Sequence, residues 1–390
     1  MKTLALGEVV DFYSGGTPSK SRPAFWQGDV PWFSAKDMKK PRLADSADHI
    51  ADEVFDSTSL RKLPAGTIAM VVRGMILAHT VPISILDVDA AINQDLKALL
   101  PKRDVDTSFL AAMLRAQHAT ILSQVGTAAH GTRKLESRVL EELRIPFPPL
   151  GEQRRIAAIL DHADALRVKR RQVVTHLGTL AQSVLQDLLM EGFARVDLGD
   201  LIADGPKNGL YRPSSDYGSG TPIVRIDSFK FGSSVIAINS LKRLRASAKQ
   251  VSEYSLAPGD LVVNRVNSRE HVGKTALVGA LREPTVFESN MMRIRVDQDR
   301  LLPVYAAEYM HTKDVRRQVA PMTKDAVNQS SINQTDVRSI RIPLPPIRLQ
   351  REFAARVEGI NQQRAVVQRA LVADGELFAS LQTRAFRGEL

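Results

Sequence analysis

The chain has 390 residues, no cysteine and a formal net charge of +10 at pH 7. Its length allows two or three domains, each able to bury its own core. Its apolar and charged fractions, 44% and 25%, are ordinary for a globular protein. The absence of cysteine excludes a disulfide framework and a thiolate metal site, and fits a reducing cytosol. The basic balance suggests a polyanionic partner.

The sequence shows neither a signal-peptide pattern nor a membrane span. An acid, Glu8, stands where a signal peptide would be apolar. The most apolar stretch, residues 67–86, contains Arg73, His79 and Pro82. These residues favour a buried strand region over a transmembrane helix. We therefore expect a cytoplasmic protein without a membrane partner.

The first block, residues 1–150, alternates short apolar runs with turns rich in glycine and proline. The sequence Gly15-Gly16-Thr17-Pro18 marks one such turn. Residues 67–72 read as a strand and residues 107–124 as a helix. The pattern predicts a mixed α/β domain in which strands predominate.

Residues 151–192 carry a long amphipathic helix. Apolar residues recur at alternating spacings of three and four, and only Arg170 and Asp187 break this heptad pattern. A helix of ~40 residues is ~60 Å long at 1.5 Å per residue. Such a helix could cover the sheet of one domain, but its length favours pairing with a second helix.

The second half of the chain repeats this plan. Residues 145–155 return as residues 342–352, and six of the eleven positions are identical. A second block, residues 193–346, is followed by a second heptad helix, residues 347–390, whose breaks are Arg364 and Asp374. A self-match at half the chain length indicates two structural units of one design. We therefore predict that the two helices form a coiled coil.

No catalytic motif is found in the sequence. Val272-Gly273-Lys274-Thr275 resembles part of a phosphate-binding loop, but Ser268 occupies the position that requires glycine. The two proline pairs lack the preceding Asn or Asp of amino-methyltransferases. The eight histidines are scattered without metal-ligand spacing.

Basic residues near loop signals predict contacts with duplex DNA. Lysine and arginine on loops neutralise phosphates, and a few polar side chains read base edges. Aromatic residues are 5% of the chain, which argues against a single-strand or RNA platform. Any one of these residues could equally be a solvated surface charge. The predicted DNA contacts are Thr17, Lys20, Lys36, Lys39, Arg73, Arg133, Arg225, Lys230, Arg265 and Lys274.

Motifs along the whole chain resemble those of one protein family. Residues 16–19 and 25–32 are similar to the opening of its target recognition domain, residues 148–157 to the start of its conserved helix, and residues 387–390 to its end. In this order, the motifs resemble the DNA-specificity subunit of a Type I restriction-modification system. We call the repeated segments, residues 145–155 and 342–352, the two proline phrases. The second departs from the family pattern, because Leu349 stands where the first has Glu152.

The resemblance implies a non-catalytic subunit. Two target recognition domains, residues 1–150 and 193–346, would each read half of a split site in double-stranded DNA. Two helices, residues 151–192 and 347–390, would form an antiparallel coiled-coil spacer. Two methylation subunits and endonuclease/translocase subunits would be the partners. S-adenosylmethionine and ATP would bind to these partners, with no cofactor on this chain. Docking is expected at Glu152, Gln153, Arg154, Gln350 and Arg351.

Two other functions remain open. The chain could be a fused restriction/methylation enzyme with diverged motifs, and S-adenosylmethionine binding by the isolated chain would indicate this. It could also be a coiled-coil assembly scaffold. Absent or salt-insensitive DNA binding would favour the scaffold, because phosphate contacts weaken as salt rises.

Overall fold

A computed structural model describes residues 2–127, 131–229, 236, 241–326 and 329–390. The chain divides into two compact units, one comprising Met1–Gln172 and Gln368–Leu390 and the other Val173–Val367. Each unit contains an α/β body and part of each long helix. Within the described ranges, no helix is long and apolar enough to span a membrane.

The first unit is built on a five-stranded sheet and a three-stranded sheet. Its strands are β1 (Thr3–Ala5), β2 (Val10–Ser14), β3 (Val30–Phe33), β4 (Arg42–Leu43), β5 (Asp48–Ile50), β6 (Ile68–Val71), β7 (Ile83–Leu86), β8 (Ala91–Ile92), β9 (Leu96–Pro101), β10 (Gly126–Thr127), β11 (Arg133–Lys134) and β12 (Arg144–Pro146). Its short helices are α1 (Leu6–Val9), α2 (Glu53–Ser57), α3 (Thr107–Ala116), α4 (His118–Ser123) and α5 (Ser137–Glu142). The sheet orders are β2-β9-β6-β7-β4 and β5-β3-β8, and β1 pairs with β12. The long helix α6 (Leu150–Leu189) follows β12.

The second unit has a four-stranded sheet, β14-β21-β17-β19, and a three-stranded sheet, β16-β15-β20. Its strands are β13 (Arg195–Asp197), β14 (Ile202–Asn208), β15 (Tyr217–Val224), β16 (Lys242–Leu244), β17 (Leu261–Asn264), β18 (Val266–Asn267), β19 (Thr275–Leu277), β20 (Val286–Phe287), β21 (Met291–Val296), β22 (Lys324–Ala326), β23 (Gln329–Ser331) and β24 (Arg341–Pro343). Its helices are α7 (Ala248–Tyr254), α8 (Pro303–Met310), α9 (Lys313–Met322), α10 (Gln334–Arg338) and the start of α11 (Ile347–Arg387).

The two units share strand pairings as well as sequence. In the first unit β6 pairs antiparallel with β9 and β3 pairs parallel with β8; in the second, β17 pairs with β21 and β15 with β20 in the same senses. The strand at the start of each proline phrase pairs with the first strand of its unit, as β1–β12 and β13–β24. The duplicated mixed α/β fold that the sequence predicts is confirmed.

The predicted helix over residues 107–124 is interrupted. The structure has α3 and α4 instead, because Gln117 leaves helical geometry at φ −87° and ψ 13°. Its side-chain Nε2 donates to the carbonyl of Arg144 at 2.8 Å. His118 faces Thr80, with 3.0 Å between its Nε2 and the hydroxyl. These tertiary hydrogen bonds compensate for the break in the helix.

Within each unit, the parts of α6 and α11 pack against each other in antiparallel order. In the first unit, the start of α6 shares an apolar cluster with the end of α11, through Ile156, Leu160 and Ala385. In the second unit, Leu185 near the end of α6 lies in one core with Phe353 and Val357 near the start of α11. The heptad spacing therefore predicted the pairing correctly.

Two breaks in the heptad pattern form an ion pair. In the first unit Arg170 of α6 lies 3.1 Å, Nε to Oδ2, from Asp374 of α11. The Asp374 side chain is 16% exposed. Because these two opposite charges meet in only one alignment of the helices, the ion pair favours that register. The two residues that appear as defects in the sequence are therefore partners in the structure.

Candidate nucleic-acid interface

A cleft in the first unit gathers polar and aromatic side chains. Its volume is about 730 Å³. Trp26 and Trp32 lie edge to face in its wall, with ring centroids 5.1 Å apart. The indole of Trp32 donates to the carbonyl of Gly16 at 2.9 Å. The lining residues are Thr17, Lys20, Pro23, Trp26, Gln27, Trp32, Asp48, Asn93 and Gln94.

Close backbone packing holds the glycine turn against the strand beside the cleft. The amide of Gly16 donates to the carbonyl of Ile92 at 3.0 Å. A Cβ on Gly15 would lie 1.9 Å from that carbonyl oxygen, so only glycine fits. Thr17 follows this fixed turn, and its hydroxyl donates to Oε1 of Gln94 at 2.6 Å. The structure thus brings a predicted DNA contact together with a glutamine that sequence reasoning did not identify.

The predicted basic contacts of the first unit fall into two groups. Lys20 lines the cleft, and Lys36 pairs with the cleft residue Asp48 at 2.7 Å. Arg73 and Arg133 lie together at a second place, where the amide of Gly74 donates to the carbonyl of Arg133.

Arg73 is exposed there, whereas Arg133 is half-buried and donates to the hydroxyl of Thr127 at 2.9 Å. Lys39 is exposed, and none of these contacts places it in either group.

The second unit repeats the glycine turn with different side chains. The amide of Leu210 donates to the carbonyl of Phe287 at 2.8 Å, as Gly16 does to Ile92. A Cβ on Gly209 would lie 2.2 Å from the carbonyl oxygen of Glu288. The next residue after Leu210 is Tyr211, which is 76% exposed and occupies the place of Thr17. Sequence reasoning missed Tyr211, although the glycine two positions earlier was a usable signal.

Two predicted basic contacts of the second unit, Arg225 and Arg265, interact with other residues of their own unit. Arg225 is half-buried, 3.4 Å from Glu288, with its guanidinium 5.2 Å from the ring centroid of Tyr217. Burial raises the pKa of the Glu288 carboxyl. Arg265 donates to the carbonyl of Ser289 at 3.2 Å. The predicted contact Lys230 lies outside the described residues.

The predicted DNA contact Lys274 is buried inside the second unit. It is 5% exposed, and its ammonium donates to the carbonyls of Ile226 at 2.8 Å and Phe229 at 2.7 Å. The ammonium also lies 4.4 Å from the ring centroid of Phe229. Burial lowers the pKa of Lys274. Because Lys274 is buried and two of its three N–H groups donate inside the unit, this lysine is not an accessible DNA contact.

The predicted docking residues divide into buried and exposed ones. Gln153 is the fourth residue of α6 and is fully buried; its Oε1 accepts from the amide of Asp106 at 3.0 Å, and its Nε2 donates to Pro148 at 2.8 Å. Gln350 is the fourth residue of α11 and is also fully buried. Its Oε1 accepts from the amide of Leu302 at 2.8 Å.

The Nε2 of Gln350 donates to the carbonyls of Arg300 and Pro345, at 3.0 and 2.8 Å. The repeated glutamine therefore fixes the start of each long helix to its own unit. Glu152 pairs with Arg155 at 2.7 Å, and Arg154 and Arg351 are exposed. Of the five predicted docking residues, these three remain accessible to a partner.

The cleft and the exposed basic residues are better suited to binding a ligand than to making or breaking covalent bonds. Exposed cations can meet phosphates, and the amides and hydroxyls of the cleft can meet base edges. Across the described part of the chain, no group of three or more His, Asp or Glu is arranged to hold a metal ion.

The duplicated α/β bodies and paired long helices define a two-domain fold. Two solved chains share this fold: the Type I restriction-modification S subunit of M. genitalium, and a chain from a structural study of complex assembly and conformational transition of the type I R-M system. The first gives a TM-score of 0.61 at 14% identity, covering 99% of this chain and 96% of that one. The second gives 0.55 at 21% identity, covering 100% and 98%.

Sequence comparison finds similar proteins of one kind. Residues 1–176 match the family model of the Type I restriction modification DNA specificity domain. The chain is 36% identical to the Escherichia coli EcoR124I/EcoR124II specificity subunit over 162 residues, 41% of this chain and 40% of that one. It is 26% identical to the E. coli EcoKI specificity subunit over 317 residues, 75% of this chain and 67% of that one. Residues 1–176 are thus similar to the Type I restriction modification DNA specificity domain, and longer stretches of the chain are similar to specificity subunits of Type I restriction enzymes.

Proposed function

We propose that this chain is a non-catalytic specificity subunit that recognises a bipartite target in duplex DNA. One observation carries the proposal: the same glycine turn occurs in both units, but it is followed by Thr17 in one and by Tyr211 in the other. A shared scaffold with different exposed side chains is what reading two different half-sites requires, because base edges are distinguished by side-chain donors and acceptors.

The proposed phosphate contacts are the basic residues that stay accessible. In the first unit these are the exposed Lys20, Lys36, Lys39 and Arg73, together with the half-buried Arg133. In the second unit the proposed phosphate contacts are Arg225 and Arg265, which lie beside Glu288 and Ser289. Such contacts fix the register of the protein on the duplex without carrying sequence information themselves.

The assembly role is also proposed. Methylation subunits would dock near the helix-start residues Glu152, which is half-buried, and Arg154 and Arg351, which are exposed, with restriction subunits joining them. These partners would bind S-adenosylmethionine and ATP, and the complex would act in the cytoplasm. The paired helices would serve as the spacer between half-sites, supported by the register-specifying pair Arg170–Asp374.

The test is co-expression with the methyltransferase encoded by a neighbouring gene in a methylation-free host, followed by single-molecule sequencing for N6-methyladenine. We expect a split motif that appears only when this chain is present. A stable complex without new methylation would contradict the proposal and favour an assembly scaffold. Inserting one heptad into a long helix should change the spacer and leave both half-sites unchanged.

A further inference from the structure

We propose that Gln94 reads an adenine in the half-site of the first unit, and that Thr17 is a positioning residue that orients the amide of Gln94. The inference rests on the proposed function, because it assumes that the cleft faces duplex DNA.

The backbone that carries Gln94 is held rigidly. The amide of Asn93 donates to the carbonyl of Phe33 at 2.9 Å, and the amide of Leu96 donates to the carbonyl of Asn93 at 3.2 Å. The side-chain Oδ1 of the buried Asn93 accepts from the amide of Asp95 at 3.0 Å. Gln94 itself is exposed at the cleft. A recognition side chain on a fixed turn loses little conformational freedom on binding.

The orientation of the Gln94 amide is also set. The hydroxyl of Thr17 donates to Oε1 at 2.6 Å. Thr17 in turn follows the turn that Gly15 and Gly16 hold against Ile92. Nε2 donates to no atom among the residues that the structure describes. Because a carbonyl oxygen has two lone pairs, Oε1 can accept a second hydrogen bond while Thr17 holds it.

The oriented amide matches one base edge. In the major groove adenine presents N7 as an acceptor and the N6 amino group as a donor. The Nε2 of Gln94 can donate to N7 while its Oε1 accepts from N6. Guanine presents two acceptors, N7 and O6, so its O6 would face Oε1 without a proton between them. A good bidentate contact of this kind discriminates against a wrong base by roughly 10- to 100-fold.

The cleft supplies a matched comparison and the second unit a natural contrast. Gln27 is also exposed and lines the same cleft, but no hydrogen bond orients its amide within the described part of the chain. At the glycine turn of the second unit, Tyr211 and Ser289 occupy the positions equivalent to Thr17 and Gln94. The effect of Gln94 should therefore be confined to one half-site.

The experiment is selection of a randomised duplex library by the co-expressed complex with its methyltransferase, followed by sequencing. We compare wild type, Gln94→Ala, Thr17→Ala, Thr17→Ser and Gln27→Ala. The expected result is that Gln94→Ala loses an adenine preference of roughly 10- to 100-fold at one position of one half-site. Thr17→Ala should weaken the same preference and Thr17→Ser should retain it, whereas any change in Gln27→Ala should fall at a different position of the half-site.

A second readout tests the atoms involved. Replacing the selected adenine by 7-deazaadenine removes N7, and should weaken binding by wild type but not by Gln94→Ala. The unaltered second half-site reports that each variant is folded. An unchanged motif in Gln94→Ala, or a changed position that selects a base other than adenine, would overturn the inference. Failure of the proposed function is distinct, because wild type would then select no motif at all.

Discussion

The buried glutamine at the start of each long helix provides the sharpest test of the structure. Gln350→Ala removes one acceptor and two donated hydrogen bonds, leaving the amide of Leu302 and the carbonyls of Arg300 and Pro345 without partners. Gln153→Ala leaves two such groups, the amide of Asp106 and the carbonyl of Pro148. The two variants therefore form a graded pair within one chain.

The magnitude follows from the number of groups left without partners. An unsatisfied buried polar group costs about 1–3 kcal/mol. The low end applies, because only one hydrogen bond of each set is fully buried. We therefore expect Gln350→Ala to lower the free energy of unfolding by about 3 kcal/mol and Gln153→Ala by about 2 kcal/mol. Arg351→Ala, at the exposed neighbour of Gln350, should change it by less than about 0.5 kcal/mol.

The assay is denaturant unfolding followed by hydrogen exchange and mass spectrometry, since a chain of two units need not unfold in one step. Gln350→Ala should weaken protection in the second unit, and Gln153→Ala in the first. Normal stability of Gln350→Ala would refute the structural role of this residue. Normal stability combined with lost binding of the methylation subunit would instead restore the docking role that its sequence motif predicted.

Three further predictions follow from ion pairing and burial. Replacing either Arg170 or Asp374 by Leu should destabilise the chain, and a double-mutant cycle should give a coupling of about 1 kcal/mol; additive effects would exclude the ion pair. Burial, with a smaller contribution from the charge of Lys274, lowers the pKa of His311 to about 4. The unfolded state then binds the extra proton first, so the second unit should lose stability as pH falls from about 6.5 towards 4, by up to about 3 kcal/mol. His311→Asn should abolish this loss in pH-dependent unfolding, and an unchanged profile would contradict the assignment. Arg73→Ala should reduce the salt dependence of DNA binding by about one counterion, whereas Lys274→Met should destabilise the second unit without changing that slope. A reduced slope for Lys274→Met would return this lysine to the DNA interface.

Local patterns were enough to predict the architecture. Heptad spacing is a property of neighbouring turns on one helix, so the sequence alone indicates two helices that pair. The repeated proline phrase likewise marked the start of both helices, because proline ends the preceding strand and glutamine follows at the same offset. The two α/β blocks share these anchors, and their strand pairings confirm one design.

The site depended on contacts that no local pattern encodes. Thr17 and Gln94 are 77 positions apart, and they meet because the antiparallel pairing of β2 with β9 places the turn after Ser14 beside the turn before Leu96. Lys274 sits in a glycine turn typical of exposed basic residues, yet two distant carbonyls bury its ammonium.

The sequence by itself determined the duplication, the long helices and the basic character of this protein, because spacing and composition carry them. Only the tertiary structure decided which polar residues are used internally and which remain for a partner. The physical reason is that burial and hydrogen bonding are set by residues far apart in the chain. Gln153 and Arg154 are adjacent in the same motif, but one is fully buried and the other exposed.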